Sequence, residues 1–451
     1  MATEHLSPLD LAFWRIESAT HPMHLGALAV FEAARAPGAG PGPGSGSEPD
    51  AAVRAAELLT ARCPTVPGLR RRIHDVLLPI GAAAWSTDAD FDPARHVFLV
   101  RTDDPQAAAG PLMARPLDRA RPPWEAHVLA GPDPRSFAVL FKFHHALADG
   151  LGALALAAML FDEGPPARGP ARPLPAPQSP GIALRSLPGI LAARVQDFGQ
   201  ALEIGASVAR AGLPLGVPAA LTAVPAQTGT RAVAGLALDL DDVNRIRKVA
   251  GGTVNDVLIA LVAGALRRWL VGRGDPEPEG AGPRALIPVS RRRPRGTAKY
   301  GNRLSGYLLR LPLSEPDPLL RLDRVRTGMD RNKEAGPARG AGAVALLADH
   351  VHPLGHRLGG PLVAQAARLL FDILVTSVPL PGFTFSLGGS RVREVYPLAP
   401  LARGHSLAVA VSTYQGTVHY GLVADAAAVP DLEALAEALR AELHEFVREV
   451  S

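Results

Sequence analysis

The sequence predicts an α/β chain of two halves, each mixing helices with strands around a sheet. Three observations carry this prediction. An apolar run over 136–143 reads as a buried strand and leads through His144-His145-Ala146-Leu147-Ala148-Asp149-Gly150 into a helical stretch over 151–160. Two Pro-rich breaks follow, one over 164–182 with seven prolines and one over 214–225. Beyond them a second set of strand and helix signals begins at 233–240. Residues 1–163 are therefore expected to form the first half, 164–225 a Pro-rich and helical linker, and 226–451 the second half.

Taken in order, Ser7 reads as a cap and Pro8 as the first residue of an amphipathic helix beginning the 8–20 stretch. Residues 22–31 read as a strand, 36–50 as a disordered Gly/Pro/Ser-rich loop, and 51–62 as a helix ended by Cys63 and Pro64. Arg70-Arg71-Arg72 reads as a solvated face. Residues 115–129 start rigid and Pro-broken and end as a strand that hairpins back to the 136–143 run, with Asp118, Arg119 and Arg121 locking the turn. Residues 184–213 read as helices, either packed on a domain or lying on lipid. In the second half, 233–240 reads as a strand and 241–250 as a helix. Thr253 and Asp256 form a short-chain capping box ahead of a strong helix over 257–270, and Asn255 belongs to the same cap. Strands are expected over 284–290, 300–311 and 371–378, and a hairpin around Gln415-Gly416 joins 406–413 to 417–424. Helices are expected over 316–334, 341–370 and 430–450, the last with Leu432, Leu435, Leu439, Leu443 and Phe446 on one face.

Composition sets bounds. The chain has 451 residues, 47% hydrophobic and 20% charged, enough to bury sizeable cores. Its formal charge of +4 is mild and spread along the chain, which does not argue for nucleic acid but suits an anionic membrane surface. One cysteine, Cys63, excludes an internal disulfide and points to a reducing compartment, with a structural role for the thiol. There is no secretory signal pattern, and no apolar run reaches the ~18–20 residues needed to span a bilayer. The expected location is cytoplasmic, with peripheral contact to the inner face of a membrane or to lipid bodies.

The chemistry concentrates at 144–150. At a strand end only one of two adjacent histidines faces a given cavity, and His145 is the candidate. Imidazole titrates near neutrality, so it can take a proton from a hydroxyl and return it within one cycle, a contribution of about 10²–10⁴-fold. His144 would pack or hydrogen-bond on the other side, Asp149 would fix the loop through a cation, and Gly150 would permit a sharp turn where a Cβ clashes. The bland alternative is a satisfied buried His pair. A metal site lacks the i,i+4 spacing and the Cys or Glu cluster it would need, so no metal is expected.

His-His-x-x-x-Asp-Gly resembles the signature of CoA-dependent acyltransferases and peptide-synthetase condensation domains. Further segments narrow the resemblance: Pro8-Leu9-Asp10 with Pro22-Met23-His24-Leu25-Gly26, Pro116-Leu117-Asp118-Arg119 with Trp124-Glu125, Thr253-Val254-Asn255-Asp256, Pro288-Val289-Ser290 before Gly301-Asn302-Arg303, and Gly421-Leu422-Val423-Ala424-Asp425. All are similar to the bacterial wax ester synthase/diacylglycerol acyltransferase family, nearly end to end and in order. That resemblance implies two chloramphenicol-acetyltransferase-like subdomains with a tunnel between them. It implies His145 as catalytic base, Asp149 as structural partner to a cation assigned to Arg292, and Asn255 and Asp256 as tunnel braces. Where the family usually has Thr-Asn-Val-Pro-Gly-Pro, this chain has Thr376-Ser377-Val378-Pro379-Leu380-Pro381, so the expected oxyanion donor is Ser377 or a nearby backbone N–H, with Asn302 a further tunnel residue. Arg403-Gly404-His405-Ser406 also departs from the usual form.

The implied reaction is direct transfer of a long acyl chain from acyl-CoA to the hydroxyl of diacylglycerol. No covalent enzyme intermediate or cofactor is needed, because CoA is the substrate's carrier, and its phosphates are a second possible partner for the Arg70–Arg72 run. The alternatives are a fatty-alcohol acceptor giving wax ester, a condensation-type enzyme using a carrier-protein thioester, and a lipid-binding homologue without activity. Oligomeric state is not readable.

Overall fold

The computed structural model describes residues 4–33, 50–77, 80–162, 229–290, 304–335 and 371–451. The loop over 36–49, the linker over 164–225 with its expected helices, the helix over 341–370, and Arg292, Asn302 and Arg303 lie outside these residues.

Two six-stranded sheets and one three-stranded sheet carry the described residues. The first sheet uses β2 (His24–Ala33), β5 (Val97–Arg101), β6 (Trp124–Ala130) and β7 (Ser136–His144), joined by β12 (Ser386–Leu387) and β13 (Ser390–Leu398). Its order is β12-β13-β2-β7-β6-β5, antiparallel except between β5 and β6. The second sheet uses β8 (Arg231–Asp239), β9 (Arg284–Ser290), β10 (Leu304–Arg310), β11 (Ile373–Pro379), β14 (Leu407–Tyr414) and β15 (Thr417–Asp425) in the order β10-β9-β11-β14-β15-β8, with β11 parallel to both neighbours. The small sheet is β1 (Glu4–His5), β4 (Ala83–Thr87) and β3 (Arg71–Asp75).

Side-chain alternation along β7 explains the layering. Phe137, Val139, Phe141 and Phe143 face the helix α2 (Ala51–Arg62), where Ala52, Ala55 and Leu59 complete one core. Ala138 and Leu140 face the opposite way and pack with Leu28 against Val233, Ala408, Ala410 and Val423 of the second sheet. The two sheets therefore share a seam. They pack tightly where the Pro397 carbonyl faces Gly421, a position where any Cβ would overlap that oxygen. On the far side of the second sheet, α5 (Leu240–Ala250), α6 (Val254–Gly272), α7 (Pro318–Ala335) and α8 (Leu432–Glu449) close the other core. α6 is buried from Asp256 to Leu266 and again at Trp269 and Leu270. No single helix among the described residues is long and apolar enough to cross a membrane; α5 and α6 pass such a test only as a pair bent by 101°.

Local chemistry set most of these boundaries. Ser7 caps α1 (Pro8–Ile16) by accepting from the Asp10 N–H at 3.2 Å. Thr253 and Asp256 form the expected reciprocal box at the start of α6. The β14–β15 hairpin turns through Gln415 (φ 50°) and Gly416 (φ 78°), the left-handed pair that a two-residue turn requires. Leu432, Leu435, Leu439, Leu443 and Phe446 are all buried. Cys63 caps the end of α2, and burial pushes its thiol up to about 12, which leaves it unreactive.

Two features depart from expectation. The short strands β3, β4 and β5, the pair β12–β13, and the helix α3 (Pro105–Ala114) were not legible in the sequence. More consequentially, β13 pairs with β2, so residues 386–398 of the expected second half complete the sheet of the first. Strand pairing is long-range, and a segment carrying Arg391, Arg393 and Pro397 does not read as an inner strand.

Candidate active site

β7 ends at His144, on the face that carries Ala138 and Leu140 and looks toward the seam. His144 is 1% exposed. Its Nδ1 accepts the Ala146 N–H at 3.0 Å, and its ring meets Trp14 edge-on at 5.0 Å. An accepting Nδ1 places the ring proton of the neutral imidazole on Nε2. That nitrogen lies 3.5 Å from Glu17 Oε2, too long for a good hydrogen bond and best treated as an electrostatic contact.

His145 is the first residue past the strand and is half-buried. Its N–H donates to the Met23 carbonyl at 2.8 Å. Its ring stacks on Phe13 of α1, with centroids 4.1 Å apart and planes 13° apart. Asp149 is 2% exposed and caps α4 (Gly150–Ala158), accepting the Gly152 N–H at 2.8 Å. Oδ1 thus holds the loop's exit into the helix.

Gly150 is needed for a different reason than a sharp turn. It begins α4 with an ordinary helical backbone, and a Cβ there would stand 3.1 Å from Val378 Cγ2 of β11. The motif loop therefore touches the second sheet through that contact. Alternation along β11 sets Ser377 on the face away from that contact. Val378 and Thr376 share the face toward Gly150, together with Leu374, which packs into the seam; Ser377 shares the other face with Ile373 and Val375, both in the helix-side core. The hydroxyl on the site's side of β11 is that of Thr376.

Asp256 is buried, and its Oδ2 accepts from both the N–H and the hydroxyl of Thr253 at 2.8 Å; Asn255 is half-buried in the first turn of α6. Their visible work is to start that helix. His405 of the departing 403–406 stretch is buried, stacks on Phe371 and contacts its carbonyl at 2.8 Å, so it ties down the chain entering β11.

The sequence reading missed a polar row beneath the motif. Lys142, fully buried on the same face of β7 as His144, donates to the Arg115 carbonyl at 2.8 Å and to Glu125 Oε2 at 3.2 Å. His127 contacts the same carboxylate oxygen at 2.9 Å. Burial works to raise the Glu125 carboxyl, but His127 and Lys142 outweigh it and hold it down at about 2. Burial lowers the Lys142 ammonium, with Glu125 opposing. Glu17 was missed too. Burial would raise its carboxyl, yet His144, the Met23 N–H and Arg119 keep it below its ordinary value. The spacing Asp10, Phe13, Trp14, Glu17 was the available signal: steps of three and four place these side chains along one helical stripe.

A cavity of about 110 Å³ lies beside the loop, lined by Ser7, Asp10, Arg71, Trp85, Ala146 and Leu147 among others. A larger groove of about 570 Å³ lies between β10 and α7 and shares no residue with the motif, so its size does not bear on the chemistry. Among the described residues no group of three His, Cys, Asp or Glu side chains could hold a metal ion.

Comparisons with known proteins identify the family and the fold. Residues 6–258 match the wax ester synthase/diacylglycerol acyltransferase catalytic domain, and residues 300–446 match the WS/DGAT C-terminal domain. The chain is 30% identical to the probable diacylglycerol O-acyltransferase tgs1 of Mycobacterium tuberculosis, over 96% of this chain and 94% of that protein. It is likewise 30% identical to tgs2 of the same organism, over 99% of each. In fold it is similar to the wax ester synthase/diacylglycerol acyltransferase from Marinobacter aquaeolei VT8, with a TM-score of 0.70, 23% identity and 99% of each chain covered. It is similar at a greater distance to the first condensation domain of the CDA synthetase, with a TM-score of 0.56 at 16% identity, covering 100% of this chain and 97% of that one. The chain is an acyltransferase and belongs to the wax ester synthase/diacylglycerol acyltransferase family.

Proposed function

We propose that this chain transfers a long-chain acyl group from acyl-CoA to the free hydroxyl of diacylglycerol, releasing triacylglycerol and CoA, with His145 as general base. The observation that supports this best is the division of labour inside the motif. His144 is buried with its Nδ1 accepting a backbone N–H, and Oδ1 of the buried Asp149 caps α4, while His145 is half-buried at the strand end. His145 takes the acceptor's proton as the oxygen attacks the thioester carbonyl. The tetrahedral oxyanion meets the Thr376 hydroxyl or nearby backbone N–H groups, each such donor being worth about 2.7–4 kcal/mol. The C–S bond then breaks, and the imidazolium returns its proton to the CoA thiolate. Acyl-CoA is a substrate, and this scheme uses no resident cofactor or metal. We assign Arg292 as the cation for Asp149; an Arg292→Ala protein with full stability and activity would reject that pairing.

The acceptor is insoluble in water, so the site must draw it from a lipid surface. Leu77 is 93% and Ile80 55% exposed at the tip of the β3–β4 ribbon, and Arg15 of α1 ties the neck of that tip through Asp75 at 2.7 Å and the Gly81 carbonyl at 3.1 Å. This supports peripheral contact with the inner face of a membrane or with lipid bodies. Co-sedimentation with phosphatidylcholine vesicles should weaken in Leu77→Asp. The deciding assay is CoA release from palmitoyl-CoA with a diacylglycerol or with hexadecanol. A clear preference for hexadecanol would make the product a wax ester instead.

A further inference from the structure

Glu17 is an acid in an unfavourable place. It caps the C-terminus of α1, where the helix dipole opposes negative charge, and its side chain is only 4% exposed. Both circumstances cost stability, so the carboxylate needs a compensating set of contacts. One oxygen, Oε1, accepts the Met23 N–H at 3.1 Å. The other, Oε2, lies 3.5 Å from His144 Nε2 and 3.7 Å from Arg119. Arg119 is itself held over the Trp14 ring at 3.8 Å and donates to the Trp14 carbonyl at 2.9 Å.

These contacts converge on the two backbone amides that bracket the His145 side chain. Met23, whose N–H donates to Glu17, accepts the His145 N–H through its own carbonyl. The His144 ring that Glu17 faces through Nε2 accepts the Ala146 N–H through Nδ1. A negative charge beside Nε2 favours the proton on that nitrogen, which leaves Nδ1 free to accept. Phe13, one turn earlier on α1, stacks on the His145 ring. We infer that Glu17 is the positioning residue of His145: through Met23 on one side and the His144 tautomer on the other, it fixes the backbone from which the imidazole projects. This rests on the reading of His145 as the base.

The test is Glu17→Gln. The amide can still accept from Met23, but it carries no charge and turns an N–H toward the His144 proton. The expected result is a fall in kcat of about 10–100-fold with KM within about threefold and the melting midpoint nearly unmoved, as for a reacting group misplaced by about 1 Å. In parallel, ¹⁵N NMR of the histidine rings should show His144 as the Nε2–H tautomer in the wild type and a mixture in the variant. The inference is overturned if kcat stays within about twofold, if only the melting midpoint falls, or if wild-type His144 carries its proton on Nδ1. The wild-type tautomer measurement needs neither a folded variant nor a turnover. It therefore separates failure of this inference from failure of the acyltransfer reading, which would appear as no CoA release from wild type.

Discussion

Each half of the molecule buries an ionic cluster, and the two clusters serve different ends. In the second half, Arg321 and Glu442 are both at most 2% exposed and bridge α7 to α8. Arg321 also donates to the Glu315 carbonyl at 2.6 Å, and the pair rests on Gly264 of α6, where a Cβ would overlap Glu442. That cluster pins three helices on the face of the sheet away from the seam. In the first half, Lys142, Glu125 and His127 lie along the seam face of the first sheet, with Lys142 two residues from His144. Buried charge of similar cost thus staples helices in one half and stiffens the motif strand in the other.

Separating stability from rate should expose the difference. Lys142→Met leaves Glu125 buried with only His127, so it should cost about 3–5 kcal/mol and also lower kcat by about tenfold as the end of β7 loosens. Glu442→Ala should cost the same ~3–5 kcal/mol while leaving kcat unchanged below the melting range. Denaturant titration with CoA-release kinetics on both variants checks the pair; equal effects on rate would erase the distinction.

A smaller effect is expected from acid. His419, on the seam face of β15, is fully buried against Tyr396, and burial lowers its pKa from 6.5 to about 4. A depressed pKa means that the unfolded chain takes up the proton first. The stability tied to neutral His419 is therefore whole above about pH 6.5 and is lost as pH falls toward 4, amounting to about 3 kcal/mol at most. His419→Phe should flatten the melting midpoint between pH 6.5 and 4. Glu125 behaves likewise in a lower window: its stabilisation, present above its unfolded value near 4.5, is lost toward pH 2. The smallest effect is that of Gly150→Ala. The new methyl presses on Val378, costing about 1–2 kcal/mol and shifting the motif loop off β11. A neutral result there would mean that the loop and β11 are not in firm contact.

Much of this was legible because it is local. Caps at Ser7 and Thr253, the turn at Gln415-Gly416 and the apolar stripe of α8 are short-range chemistry, and the sequence marks them directly. The motif could be read for the same reason: seven residues at a strand–helix junction dictate which histidine the strand buries and which lies just past its end. What could not be read depends on partners distant in the chain. β13 joins a sheet begun more than 350 residues earlier, as its pairing of Val392 with Phe31 shows. Glu17 owes its role to His144, and Lys142 owes its burial to Glu125 and Arg115. The side on which Ser377 falls was equally unreadable, because a one-residue change of parity moves a side chain from one face of β11 to the other.

The central claim is that His145 supplies the base for acyl transfer, and one comparison tests it most directly: CoA release from palmitoyl-CoA by wild type and His145→Ala, with diacylglycerol as acceptor. With His145 as the base, wild type releases CoA and the variant loses about 10²–10⁴-fold with an unchanged melting midpoint. A folded His145→Ala protein that releases CoA at the wild-type rate would contradict it.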